Sequence, residues 1–158
     1  MNCIVRFDGE YRFLSNFYSS EITLTHLPFD KVETEPITYV TLEHAYQAAK
    51  TAKRNERKLI VTSATPGAAK RFGKNVTLRP DWEDVKEKIM LGLLIEKFTK
   101  HEDLKSKLMA TKGTHLVEGN LWHDNTWGVC FCICCSGLGK NLLGTTLMKI
   151  RDENLAKD

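Results

Sequence analysis

Four polar residues after Thr41 have the most chemically suggestive spacing in the chain. Glu43, Gln47, Lys50 and Arg54 fall at i, i+4, i+7 and i+11. On a helix that places a carboxylate, an amide, an amine and a guanidinium along one face. Leu42, Ala45 and Ala49 populate the opposite side. At about 1.5 Å of rise per residue, Glu43 and Lys50 stand about 10 Å apart along the axis. That is too far for a backbone-fixed ion pair but suits two groups flanking a sugar ring. The same pattern fits a solvated polar face.

A second constellation is residues 118–128 (EGNLWHDNTWG), where two tryptophans, two acids, two asparagines and a histidine follow no clean period. Aromatic faces stack on bases, and a carboxylate beside them stabilises an oxocarbenium-like sugar or positions water. The alternative is a loop anchored by Trp122 and Trp127, with Asp124 making a turn. Residues 136–144 (SGLGKNLLG) form a Gly-rich entry to the last expected helix. Free backbone N–H groups at such an entry can cradle phosphate. It is not a P-loop, because Asn141 stands where Ser or Thr is required and Cys134 where the first Gly belongs. Leu142 at the third Gly position removes the Rossmann fingerprint as well.

Four of the five cysteines, Cys130, Cys132, Cys134 and Cys135, crowd together, and the fifth is Cys3. An odd, clustered set argues against a disulfide framework and for reduced thiols in the cytoplasm. Zinc ligands usually pair as C-x₂₋₄-C with a second pair elsewhere. The chain offers no second cysteine pair, only scattered histidines. The expectation is therefore of buried structural thiols, with no metal and no cofactor. H-E-x-x-H, G-x-S-x-G and EF-hand patterns are absent.

These residues need elements to position them. Residues 3–7 (CIVRF) suggest a short strand before the Asp8-Gly9 turn, and a short extended stretch ends at Val40. Thr41 is an N-cap for a helix running to about Arg57. Within it, residues 53–58 (KRNERK) read as a solvated face. Thr65-Pro66 opens a shorter helix that stops near Gly73. Asp81, with Asp84 three residues on, caps a long helix whose Val85, Ile89, Leu93, Leu94 and Phe98 recur at helical spacing. Leu104 and Leu108 mark another helix before Gly113. A last helix spans about Asn141 to Glu153 with Leu143, Leu147 and Ile150 inward, and a strand lies around residues 129–133. The sum is an α+β fold, predominantly helical with a few short strands, in a single domain over residues 1–158.

Composition narrows the function. Apolar content of 42% and charged content of 27% describe a globular chain. No apolar run is long enough for a membrane span, and the N-terminus lacks the pattern of a secretory signal. A net charge of +3 is too mild to argue for nucleic-acid binding by electrostatics alone and suits a phosphorylated small substrate.

Several separated segments together resemble the NADAR family, also called YbiA-like. They are residues 13–17 (FLSNF), 43–50 (EHAYQAAK), 64–73 (ATPGAAKRFG), 79–82 (RPDW), Met90, Glu118, 124–128 (DNTWG) and 139–151 (GKNLLGTTLMKIR). The likeness runs from about residue 7 to 152 and keeps the family's order. It implies hydrolysis of an N-glycosidic bond between a base-type nitrogen and a ribosyl carbon. Family members act either on ribosylamino-pyrimidine phosphates of the riboflavin pathway or on ADP-ribosylated guanine in nucleic acid. A transient contact with modified nucleic acid would accompany the second. The family's lysine, which forms a Schiff base with the opened ribose, maps onto Lys50, with Glu43 as acid or base. Arg54 would help lower the Lys50 pKa, and Asp124 would stabilise the cationic carbon. Trp82, Trp122 or Trp127 would stack the base, while Asn16 and Asn141 would hold ribose hydroxyls or phosphate. Phe17, Gln47 and Gly139 complete the expected substrate contacts. From another class, a module that binds ADP-ribose without turning it over is the alternative. The cysteine-dense segment 130–135 (CFCICC) departs from the family's glycine-rich and polar pattern there.

Overall fold

A computed structural model describes residues 2–155, so the ends of the expected 1–158 domain, Met1 and 156–158, lie outside the described residues. In chain order the elements are β1 (Cys3–Ile4), a 3₁₀ turn (Gly9–Leu14), β2 (Ser19–Leu24), β3 (Ile37–Thr41), α1 (Leu42–Ala48), α2 (Arg54–Val61) and α3 (Pro66–Gly73). There follow α4 (Trp82–Lys100), α5 (Glu102–Ala110), β4 (His115–Leu116), β5 (Gly119–Asn120), β6 (Val129–Cys130), α6 (Leu142–Lys149) and a π-helical turn (Ile150–Asn154). The class is α+β, mostly helical with short strands, as the sequence leads one to expect. The chain gathers into two compact units, Asn16–His101 and the flanking segments up to Ser15 and from Glu102.

In the Asn16–His101 unit, β2 pairs antiparallel with β3, with Ile22 opposite Tyr39 and Leu24 opposite Ile37. β2 alternates exposed and buried residues, so one face is buried. β3 runs directly into α1, where the Thr41 hydroxyl accepts the His44 N–H as an N-cap. All seven residues of α1 are buried, so its polar face is not a solvated one.

The expected long helix from Thr41 to Arg57 is interrupted. Residues 49–53 leave the helix and α2 starts at Arg54. No Gly or Pro forces this break, and its cause is tertiary. The Thr51 carbonyl accepts from Arg57 Nε at 2.7 Å, its hydroxyl donates to Glu56, and it also accepts the Lys53 N–H at 3.1 Å. Glu56 in turn accepts from the Thr77 N–H and hydroxyl. A hydroxyl and carbonyl so engaged compete with the helical ladder. Arg57 itself is 1% exposed and paired with Asp30, with Glu33 at 3.6 Å, so residues 53–58 are not wholly a solvated face.

α3 begins as expected, with Thr65 capping Ala68 N–H and Pro66 in the first turn. α4 buries Trp82, Ile89, Met90, Leu93, Leu94 and Phe98. Asp81 occupies its N-cap, but the carboxylate accepts from Arg79 Nε at 2.6 Å instead of capping the helix.

In the other unit β1 and β4 pair in parallel, as do β5 and β6. The expected strands at 3–7 and 129–133 shrink to two residues each, and after the second the chain bends at Cys132 and turns over residues 133–137 instead of extending. α5 buries Leu104 and Leu108, while α6 buries Leu143 and Leu147, with Ile150 buried just beyond it. Arg151 is buried and its Nη1 donates to the carbonyls of Thr111 and Thr114, both at 2.9 Å. Among the described residues, no helix is long and apolar enough to cross a membrane.

Asp30→Ala would leave the buried Arg57 guanidinium without its main counter-charge. It is expected to cost about 3 kcal/mol of stability, read from urea and thermal unfolding. A loss near zero would show that Arg57 is held by its other partners alone.

Candidate active site

The Asn16–His101 unit collects one group of side chains around α1. Glu43 lies in the first turn, 6% exposed, with its N–H donating to the Asn16 carbonyl at 3.0 Å. The positive end of the helix favours a carboxylate there. One turn on, Gln47 Nε2 donates to Glu43 Oε1 at 2.6 Å, which orients both groups. The amide of Gln47 is seated by α3, where a Cβ on Gly73 would overlap its carbonyl oxygen and lie 2.7 Å from Cδ. Gly73 is thus required for close approach, more than as the expected stop signal.

Lys50 sits just past the end of α1, its N–H on the Gln47 carbonyl at 3.2 Å and its own carbonyl accepting from Arg79 N–H at 2.8 Å. It is half-buried, and Nζ lies 5.8 Å from the ring centroids of both Tyr46 and Trp82. Those rings pack at 5.2 Å and 55° to each other. Burial lowers the Lys50 pKa below the usual lysine value, Glu43 opposes this, and the charges of Lys70 and Lys74 add to the lowering. The cations that act on Lys50 are therefore these two, on and after α3. Arg54 does not take that role, because the break before α2 sends its guanidinium to the Val32 carbonyl and toward Glu33.

Asn16 donates to Met90 Sδ at 3.5 Å. Among the described residues, neither Asn16 Oδ1 nor Gln47 Oε1 has a hydrogen-bond partner, although both are buried. Phe17 is 36% exposed and lies under the Lys70 ammonium at 5.9 Å from its centroid. His44 is a structural neighbour, its ring bonded to the Thr41 hydroxyl and the Ser63 carbonyl. The structure thus brings together Asn16, Phe17, Glu43, Gln47, Lys50 and Trp82. Sequence reasoning missed Tyr46, Lys70 and Lys74 as contributors. The i+3 relation of Glu43 to Tyr46 was available as a signal, whereas the approach of α3 was not.

Asp124, Trp122, Trp127, Gly139 and Asn141 belong to the other unit. Asp124 Oδ1 accepts the N–H groups of Thr126 and Trp127 at 3.1 and 2.9 Å, so one carboxylate oxygen holds a turn. Trp122 is 62% exposed, so its ring is not the expected buried anchor, while Trp127 is half-buried. The Gly-rich entry to α6 is not a cradle of free donors. The N–H groups of Lys140, Asn141, Leu142 and Leu143 donate to the carbonyls of Asn125, Gly128, Thr126 and Trp127. A Cβ on Gly139 would overlap the Gly128 carbonyl, which explains that glycine. The Asn141 amide donates to the Leu116 carbonyl at 2.8 Å and accepts the Glu118 N–H at 3.0 Å, so it locks the loop instead of presenting itself to a ligand.

A buried carboxylate hydrogen-bonded to an amide, with an amine of lowered pKa seven residues on from the carboxylate, has the groups that acid–base and amine-nucleophile chemistry need. The NADAR domain model matches residues 6–154, and the chain belongs to the NADAR family. It is 36% identical over 145 residues to the N-glycosidase YbiA of Shigella flexneri, covering 87% of this chain and 86% of that one. An N-glycosidase of Nostoc punctiforme is 38% identical over 121 residues, 73% of this chain and 74% of its own. The solution structure of the Escherichia coli protein YbiA superposes with a TM-score of 0.77 at 32% identity, covering 99% of this chain and 86% of that one.

Amine-directed acylation at limiting reagent, mapped by mass spectrometry below the usual lysine pKa, is expected to label Lys50 ahead of the exposed lysines. Neutralising its neighbours in a Lys70→Ala/Lys74→Ala variant should move the labelling midpoint to higher pH. An unmoved midpoint would show that those charges do not act on Lys50.

Proposed function

We propose that the chain is an N-glycosidase that hydrolyses the bond between a base-type nitrogen and the anomeric carbon of a ribosyl or ADP-ribosyl group. The observation that carries the reading is the Lys50 amine, half-buried against Tyr46 and Trp82 and held below the usual lysine pKa beside Glu43. In this reading neutral Lys50 attacks the anomeric carbon while the Glu43 carboxyl gives its proton to the leaving nitrogen. The lysine adduct opens the sugar ring to a Schiff base. Water activated by Glu43 then adds to it, releasing the ribosyl product and the free amine.

Other neighbours fit this assignment. Gln47 orients the carboxyl through its 2.6 Å hydrogen bond. The partnerless carbonyl oxygens of Asn16 and Gln47 suit sugar hydroxyls, because buried acceptors are costly without a donor. Trp82 and Phe17 offer aromatic surface to a base or sugar, and Lys70 and Lys74 supply charge for a phosphate. A phosphorylated ribosyl group follows, whether a ribosylamino-pyrimidine phosphate or ADP-ribosylated guanine, the latter with transient contact to modified nucleic acid. We treat residues 1–158 as one functional domain, a reading supported by a family match that spans both units. The free state of all five cysteines supports a reducing, cytoplasmic setting.

The test is a paired turnover assay by mass spectrometry on both substrates. Wild-type protein is expected to release free ribose phosphate or ADP-ribose from one of them. Lys50→Ala should abolish release, and Glu43→Gln should slow it by about 10²–10⁴-fold. Full activity in either variant would overturn the assignment. Tight ADP-ribose binding without product from any ribosylated base would make the chain a binding module instead.

A further inference from the structure

Outside the candidate active site, four ligand-type side chains converge in the unit that does not carry Glu43 and Lys50. His123 Nδ1 and the sulfurs of Cys130, Cys132 and Cys135 all lie within 4.8 Å of one another. Nδ1 is 3.3 Å from Cys135 Sγ and 3.5 Å from Cys132 Sγ. For Zn–S and Zn–N bonds of about 2.3 and 2.1 Å, a regular tetrahedron has edges of about 3.5–3.8 Å. The two N···S distances of 3.3 and 3.5 Å are close to such edges, and the remaining separations stay within 4.8 Å. We propose that His123, Cys130, Cys132 and Cys135 form a structural zinc site.

The local backbone is built for it. Cys132 and Cys135 form a C-x₂-C turn in which the Cys135 N–H lies 3.3 Å from Cys132 Sγ. The Asn125 amide donates to Cys135 Sγ at 3.7 Å. Hydrogen bonds onto sulfur stabilise thiolate ligands from the outer shell. The chain reverses through Ser136 and Gly137, both at positive φ, with Ser136 N–H on the Cys132 carbonyl and Gly137 N–H on that of Cys130. Cys130 itself is fixed at the end of β6 and fully buried. His123 takes a left-handed φ of 65°, uncommon for a histidine, and its Nδ1 meets the thiols. Three thiolates and an imidazole suit zinc, and four protein ligands leave no open position, so the metal is structural. On binding it displaces the thiol protons to solvent and takes the Nδ1 lone pair of neutral His123.

Cysteine spacing alone does not point to this ligand set. The chain has no second cysteine pair, and the proposed set is instead completed by Cys130 and by a histidine seven residues upstream, in the aromatic and acidic loop. Cys3 and Cys134 are exposed and outside the cluster, which makes them internal controls.

The full chain, purified reduced and stripped with a strong chelator, would be titrated with zinc and with cobalt(II). One metal per chain is expected, with cobalt giving thiolate charge-transfer and tetrahedral ligand-field bands. Cys130, Cys132 and Cys135 should alkylate slowly with metal bound and rapidly after chelation. Cys132→Ser should lose the cobalt spectrum, while Cys3→Ser and Cys134→Ser keep it. Because Cys132→Ser can also fail by misfolding, the wild-type titration decides independently. No tetrahedral cobalt spectrum from reduced wild type, equal loss in Cys134→Ser, or a disulfide within the cluster of the protein as isolated would each overturn the proposal.

Discussion

The unit that holds the candidate site depends on burying a short helix with polar side chains. α1 is enclosed on every side, yet Glu43, His44 and Gln47 lie on it. Taking a carboxylate and an amide out of water is costly unless each finds a partner. The helix meets that demand locally. Glu43 and Gln47 bond each other at one helical turn, and His44 spans Thr41 and Ser63. The bare Cα of Gly73 lets α3 come close enough to confine the Gln47 amide. What remains incompletely satisfied is the set of carbonyl oxygens that a polyhydroxylated ligand could bond.

The end of α1 is equally constrained. Thr51, Glu56 and Arg57 divert the chain after Ala49, and Lys50 emerges at the break. Had the helix continued, Lys50 would belong to a regular polar stripe with Arg54 one turn beyond. Instead it is set against Tyr46 and Trp82, near the charges of Lys70 and Lys74. Apolar surroundings and like charge both disfavour the ammonium form, and that is the condition an amine nucleophile needs.

Much of this was legible from residues alone where the cause is local. The Thr65-Pro66 start of α3, the apolar period of α4 and the Glu43/Gln47 spacing follow from capping and helical geometry. The break after Ala49 was not legible, because its cause is a carbonyl and a hydroxyl engaged by partners from the next helix. β2 escaped notice because its alternation is carried by Ser20 and Ile22 among polar neighbours. The Gly139 loop misled in another way. Its glycine is needed for contact with Gly128, and its donors are spent on the carbonyls of residues 125–128. The cluster of His123 with three cysteines depends on a loop folding back onto a tight turn, which spacing does not encode.

The central claim is that Lys50 becomes covalently bonded to the sugar. Borohydride added during turnover, followed by peptide mapping, tests it most directly. The account predicts a reduced ribosyl adduct on the peptide carrying Lys50, absent in Lys50→Ala. An adduct on a different lysine, or none while turnover proceeds, would contradict it.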